Sequence, residues 1–304
     1  MGTFGEIAAP LLHRLRASAG VRVDWWDNED GFNRTVPITS GTAKFLQLAS
    51  HNETAVSPRG GLVYDLASAW QLTATAYGGF RAPTLNELYR AFRLGNVLTL
   101  ANETLTAEHL QGGEAGVRYV RRRILLSGTF FQENVDNPAG NVTQSVTSSL
   151  ITRQRQNIGS LRARGADADV LLTLSRIQLR AGYEYVHSLV TSFSTDPALV
   201  GKFVPQVPSH IVSVSSVYNA PQHWTVTALL RAASRQFDDD LNQFPLEPYS
   251  VAGVSVSHQT GMLTWFGSVS NLYDSRIQTT ATPVLNYASR RIISAGVRFT
   301  SPEQ

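Results

Sequence analysis

The run WQLTATAY, Trp70 to Tyr77, decides how this chain is read. Trp70, Leu72, Ala74 and Ala76 fall on one face of a period-two pattern, and Gln71, Thr73, Thr75 and Tyr77 fall on the other. Successive side chains of a strand point to opposite faces, so strict alternation marks a half-buried strand. Working outward, the same period recurs almost everywhere. From Ile177, the row Ile177, Leu179, Ala181, Tyr183 and Tyr185 opposes Gln178, Arg180, Gly182 and Glu184. From Trp224, Val226, Ala228 and Leu230 oppose Thr225, Thr227, Leu229 and Arg231. Near the end Ile293, Ala295, Val297 and Phe299 oppose Ser294, Gly296 and Arg298. The helical period is scarcely found.

This pattern predicts an all-β chain of about thirteen strands: roughly 2–9, 13–25, 57–65, 69–80, 107–120, 124–135, 157–174, 176–191, 209–218, 224–237, 248–258, 262–272 and 289–300. Short turns are expected at Pro10–Leu12, Leu66–Ser68, Arg121–Arg123, Ser175, Asn219–His223 and Gln259–Gly261. Between them lie long connections at 26–56, 81–106, 136–156, 192–208, 238–247 and 273–288. Short and long alternate without a break. A soluble sandwich has no reason to gather every long loop at one end. An antiparallel transmembrane β-barrel does, with tight turns on one side of the membrane and long loops on the other.

Composition agrees. The 304 residues are 42% apolar but only 16% charged, against about 25% charged in an ordinary soluble domain. No stretch approaches about 18 consecutive apolar residues, so a transmembrane helix is excluded. With no cysteine there is no disulfide, thiolate nucleophile or Cys-ligated zinc. Of the 26 basic residues only Lys44 and Lys202 are lysine, and the net charge is +3. A nucleic-acid surface needs that charge gathered in one stripe. Instead Arg14, Arg16, Arg22, Glu114, Arg118, Asp167, Asp169, Arg180, Glu184, Arg231 and Arg298 fall opposite the apolar rows, mixed in sign. An arginine facing lipid at mid-membrane costs about 2–4 kcal/mol, whereas a wet lumen accepts it. Trp25, Trp70, Tyr185 and Trp224 sit near strand ends, as interfacial aromatic girdles do; ordinary core aromatics are the other reading.

Two features point to an incomplete barrel. Thirteen strands conflict with the even strand number of bacterial single-chain barrels. Either residues 2–9 are not a strand or the chain is the later part of a longer barrel. Residues 1–18 also carry no signal-peptide pattern, with Glu6 ahead of a short apolar patch.

The stretch SPRGGLVYDLASAWQLTATAYGGFRAPTLNELYR (57–90) resembles TonB-dependent outer-membrane receptors, through two strands, a tight turn and a loop opening FRAPTLNELY. Further similar segments follow in the family's order: NETLTAEHLQGGEAGVRY (102–119), NIGSLRARGADADV (157–170), FVPQVPSHIVSVSSVY (203–218), RQFDDDLNQFPLEPYSVAGVSVS (235–257), and SNLYDSRIQ (270–278) followed by ASRRIISAGVRF (288–299). The resemblance covers nearly the whole chain. It implies a partial barrel of about 12–13 strands from a 22-stranded type, with residues 1–304 as its C-terminal part. It also implies an N-terminal plug, absent here, and uptake of a scarce nutrient (ferric siderophore, cobalamin or similar). Energy would come from the TonB complex acting through that plug. The expected partners are outer-membrane lipid, the missing plug and strands, and the TonB complex, with no nucleic acid. The expected location is the bacterial outer membrane. The tail departs from the family, since Phe299 is followed by Thr-Ser-Pro-Glu-Gln rather than closing the chain.

The family's loop signature is carried by Phe80, Arg81, Ala82, Pro83 and Glu87. Arg81 and Glu87 are candidates to line an entrance; alternatively Pro83 and the aromatics only shape the exit from strand to loop. Tyr89, Arg93, Asn134, Tyr183 and Arg235 are candidate ligand contacts, as polar or aromatic residues of loops or lumen wall. Asp238, Asp239 and Asp240 have the oxygens that suit a hard cation, but a solvated acidic loop is the plainer expectation. The seven histidines show no H-x₃-H or H-E-x-x-H spacing. No metal site, cofactor or catalytic set is expected, since G-x-S-x-G, G-x-x-x-x-G-K and S-x-x-K are missing. Two other readings remain open. One is a complete 12-stranded passive porin or adhesin; the other is a soluble β-sandwich binding module, which would fold without detergent.

Overall fold

The computed structural model describes residues 1–36 and 41–301; the tail residues 302–304 lie outside them. Its main element is one antiparallel sheet of 13 strands. In chain order these are β1 (Gly2–Leu12), β2 (Leu15–Asn28), β3 (His51–Ala67), β4 (Trp70–Arg81), β5 (Glu108–Arg121), β6 (Ile124–Asp136) and β7 (Ser160–Thr173). There follow β8 (Ile177–Ser192), β9 (His210–Ala220), β10 (Trp224–Ala233), β11 (Tyr249–Thr260), β12 (Leu263–Ser270) and β13 (Ile292–Phe299). Each strand pairs with its sequence neighbours, and all thirteen expected strands are present. The sheet does not close: β1 and β13 are its two edges.

The strand expected over 224–237 ends at Ala233, and two further boundaries differ for identifiable physical reasons. The first turn lies after Leu12, because Pro10 sits inside β1 opposite Arg16. The ladder shifts register between Pro10 and Leu12, and such an irregularity tolerates a residue with no N–H to donate. Strand β3 begins at His51 rather than Ser57, with Asn52 opposite Asp27 and His51 opposite Asn28. These polar residues lack an apolar row because this part of the hairpin stands among the loops, which bury Ala55 on its concave side. Residue Asn52, expected in a loop, is therefore a strand residue.

Directly opposed residues of an antiparallel pair share a face, so the registers sort the whole sheet into two faces. One carries Leu62, Leu72, Val117, Leu126, Val170, Ala181, Val214, Leu230 and Val254. In β4 this apolar row is exposed throughout, while Gln71, Thr73, Thr75 and Tyr77 are half-buried. A curved sheet spreads side chains on its convex side and crowds them on its concave side. The apolar row is thus convex, inverting the arrangement of a soluble protein. The interior charges Glu114, Arg118, Asp167, Asp169, Arg180, Glu184, Arg231 and Arg298 all lie on the concave face.

Among the described residues no conventional core lies within the sheet. The buried cluster Val142, Ile158, Val190, Phe193 and Leu199 belongs to the long-loop end, as do the fully buried Leu88, Leu105 and Leu246. The long connections fold into a layer of their own. It includes a four-stranded sheet from residues 92–94, 97–100, 139–146 and 151–157, and helix α1 (Leu85–Tyr89).

Candidate functional site

The concave wall and the loop layer above it hold the polar chemistry. On the wall of β1 to β4 the charges are mutually paired. Arg16 meets Asp65 at 3.2 Å, Arg22 meets Asp24 at 2.6 Å, and Arg59 grips Glu6. Across β5 to β8 the balance tips to acid. Asp167 stands directly opposite Glu184, with Asp169 and Glu114 on the same face. Glu133 of this face accepts the Tyr77 hydroxyl at 2.7 Å. Farther round, Asp169, Arg180 and Arg231 border an open hollow of about 460 Å³.

The loop signature is a local brace. Thr84 caps α1: its hydroxyl accepts the Glu87 N–H at 3.3 Å, and its own N–H donates to the Glu87 carboxylate at 2.7 Å. Arg81, at the end of β4, donates to both Glu87 oxygens at 2.9 and 3.2 Å and also grips Glu108 at the start of β5. Partial burial opposes ionisation of Glu87, but the Arg81 guanidinium and the Thr84 donors outweigh it and hold the carboxyl at about 2. Pro83 and Leu88 are buried beneath this brace. Phe80 pairs opposite His109, and Ala82 leads into the turn.

The five candidate contacts are not brought together. Tyr89 ends α1 and its hydroxyl accepts the Asn28 amide at 2.7 Å. Arg93 lies in the loop sheet, with Nε donating to Gly95 O at 3.0 Å. Arg235 follows β10 and pairs with Glu247 at 3.6 Å, both well exposed. Asn134 and Tyr183 stand on the convex face, not over the lumen. Asn134 is opposite Arg162, and Tyr183 is opposite Ala168 and Val212 with its hydroxyl 2.8 Å from His210 Nδ1. For Tyr183 the apolar alternation of its strand already gave that face; its aromatic hydroxyl is what suggested ligand contact.

The three consecutive aspartates are not a solvated loop. Asp239 and Asp240 are buried, at 3% and 9% exposure. Asp239 accepts the N–H groups of Gln243 and Phe244, and Asp240 takes Thr143 N–H and hydroxyl at 2.8 and 2.7 Å. Asp238 accepts Ala281 N–H, Thr282 N–H and the Gln206 amide, each at 2.9 Å. The triplet therefore ties the loop after β10 to three other loops. Among the described residues no group of acids and histidines is placed to hold a metal ion. Beside this latch lies a cavity of about 450 Å³ lined by Arg153, Phe203 and Thr282. Among the described residues, Arg153 Nε and Thr282 Oγ1 are buried there without hydrogen-bond partners. Their loops are far apart in sequence, so no local motif could have named this pair.

Comparison with known proteins places the fold. A family model for the β-barrel of TonB dependent receptor-like proteins matches residues 2–272. The structure is similar to the copper transporter OprC, with TM-score 0.76 and 16% identity over 98% of this chain and 47% of the other. It is similar to the siderophore receptor PiuA from Acinetobacter baumannii, with TM-score 0.75 and 16% identity over 98% and 42%. The ferric-catecholate import receptor Fiu from K12 E. coli gives TM-score 0.74 and 15% identity over 97% and 44%. The chain thus spans somewhat under half the length of the structures it matches.

Proposed function

This chain belongs to the TonB-dependent receptor β-barrel family, transport receptors of the bacterial outer membrane, and from that premise we propose that it is the C-terminal barrel portion of a nutrient receptor. The cargo class is a scarce nutrient such as a ferric siderophore or cobalamin. The observation that carries this reading is the pair of open edges, β1 and β13, on a sheet whose convex face is apolar. In lipid an unpaired backbone group costs several kcal/mol, so these edges call for further strands. A complete 12-stranded porin needs first and last strands paired, and a sandwich needs a second sheet over the apolar face.

The concave wall supports a covered lumen. Like charges directly opposed across strands, as Asp167 and Glu184 are, destabilise a sheet unless a cation answers them. A basic segment of the same receptor, filling the lumen as a plug does, supplies that cation and provides the route to the TonB complex. Cargo would be met in the loop layer, where Arg153 and Thr282 offer unpartnered donors to an acceptor-rich ligand.

The test is uptake and binding by the full-length receptor. Labelled ferric siderophores and cobalamin are offered to cells with and without it, and bound cargo is compared for wild type and Arg153→Ala. Energy-dependent uptake of one cargo, weakened by the variant, is expected. Recovery of the protein in the soluble fraction, or absence of uptake across the panel, would sink the reading.

A further inference from the structure

Two arginines break the rule that strand-interior charge lies on the concave wall. Arg162 is opposite Asn134 and Leu189, and Arg164 is opposite Gln132 and His187, so both project from the convex face of β7. Both are exposed, and among the described residues neither makes an ion pair or a side-chain hydrogen bond. Asp136, the acid on this face at the end of β6, accepts the Ser160 hydroxyl at 2.8 Å.

Their height on the wall is fixed by what lies below. The rung beneath Arg164 runs Phe130, Ala166, Tyr185 and His210; the next runs Gly128, Ala168, Tyr183 and Val212. Tyr185 and His210 pack with ring centroids 5.1 Å apart, and Tyr183 hydrogen-bonds the same imidazole. Strand β9 runs 11 residues from His210 to Ala220, which faces Trp224. At about 3.3 Å per residue and a tilt of about 40°, the two aromatic levels stand about 25 Å apart, the height of a barrel's apolar band. Arg164 and Arg162 thus lie one and two rungs above the lipid boundary, at headgroup depth. Guanidinium groups there match phosphate oxygens in charge and in forked geometry.

We propose that Arg162 and Arg164 form a docking surface for the phosphates of an anionic membrane lipid in the leaflet at the long-loop end. This rests on the outer-membrane barrel reading above. Gln132 and Asn134 flank the pair with amide groups suited to the sugar or ester oxygens of such a lipid.

The test uses the full-length receptor extracted from membranes in detergent. Its retention of bis-phosphorylated lipid A is compared with retention of the dephosphorylated lipid by native mass spectrometry. At least tenfold preference for the phosphorylated form is expected. The double variant Arg162→Gln with Arg164→Gln brings the preference below about threefold, and the double lysine variant keeps most of it. Equal retention of the two lipids by wild type overturns the proposal without need of any variant. An unchanged preference in the glutamine variant, or displacement by inorganic phosphate at equal phosphate concentration, overturns it as well. A receptor that never enters membranes overturns instead the barrel reading, a result visible before any lipid is added.

Discussion

Arg81 and Glu87 are joined by two hydrogen bonds of 2.9 and 3.2 Å, and through Arg81 the loop helix is fastened to Glu108 across the mouth of a long loop. Glu87 is held at about 2, below its ordinary carboxylate value. The folded state therefore binds fewer protons than the unfolded one, and its stability rises with pH across the interval between them. The brace is expected at full strength above about pH 4.5 and lost as pH falls towards 2. Hydrogen exchange at Asn102, whose N–H donates to Glu87 O at 3.1 Å, should accelerate across that window beyond its intrinsic rate. Glu87→Gln should remove the acid dependence.

Asp238 holds two backbone N–H groups from another loop. Asp238→Ala leaves both without an acceptor, at a local cost of about 1–3 kcal/mol. Exchange protection at Ala281 and Thr282 should fall accordingly, while the denaturant midpoint of the main sheet stays within error. A shared loss of both would mean the latch and the sheet unfold together.

Adjacent residues on β6 test the assignment of faces. Leu126 is on the convex face and Ser127 on the concave face, opposite Asp169. Leu126→Arg should destabilise the membrane-embedded receptor by about 2–4 kcal/mol. Ser127→Arg should be far better tolerated, since on the wet face it meets the Asp169 carboxylate on one side and the Arg118 cation on the other. Unfolding in lipid vesicles reads both, and the opposite ranking would reverse the faces.

Gly165 allows β7 and β8 to approach. A Cβ there would lie 2.0 Å from the Tyr185 carbonyl oxygen and 2.6 Å from the Phe131 ring, so backbone must move. Gly165→Ala should cost about 1–3 kcal/mol by overpacking. Gly182→Ala is the control: its closest contact is the Asp169 side chain at 3.1 Å, which can swing aside. A smaller loss for Gly182→Ala is expected in denaturant melts of the membrane-embedded receptor.

The strands were legible because lipid on one side and water on the other impose a two-residue period. Trp70 to Tyr77 shows it without interruption. The period fades where that asymmetry ends. His51 to Val56 are strand standing among the loops, with Ala55 buried, and Pro10 is a strand residue at an irregularity of the ladder. Residue type marks a candidate ligand contact, but type does not fix a face. Asn134 and Tyr183 are polar-tipped yet convex, where they suit a boundary rather than a lumen.

Sequence by itself determined the number of strands, their order, the end that gathers the long loops, and the side of the sheet that takes the charge. Each follows from local alternation and spacing, since neighbouring strands are joined by chain. Only the tertiary structure decided what the loops do. The partners of Asp240 and Asp238 lie 97 and 43–44 residues away, and no local period links them. The same holds for Arg153 and Thr282, and for the rungs that lift Arg162 and Arg164 above Tyr185. Those relations depend on register across strands and on loop packing, which are set by contacts between distant segments.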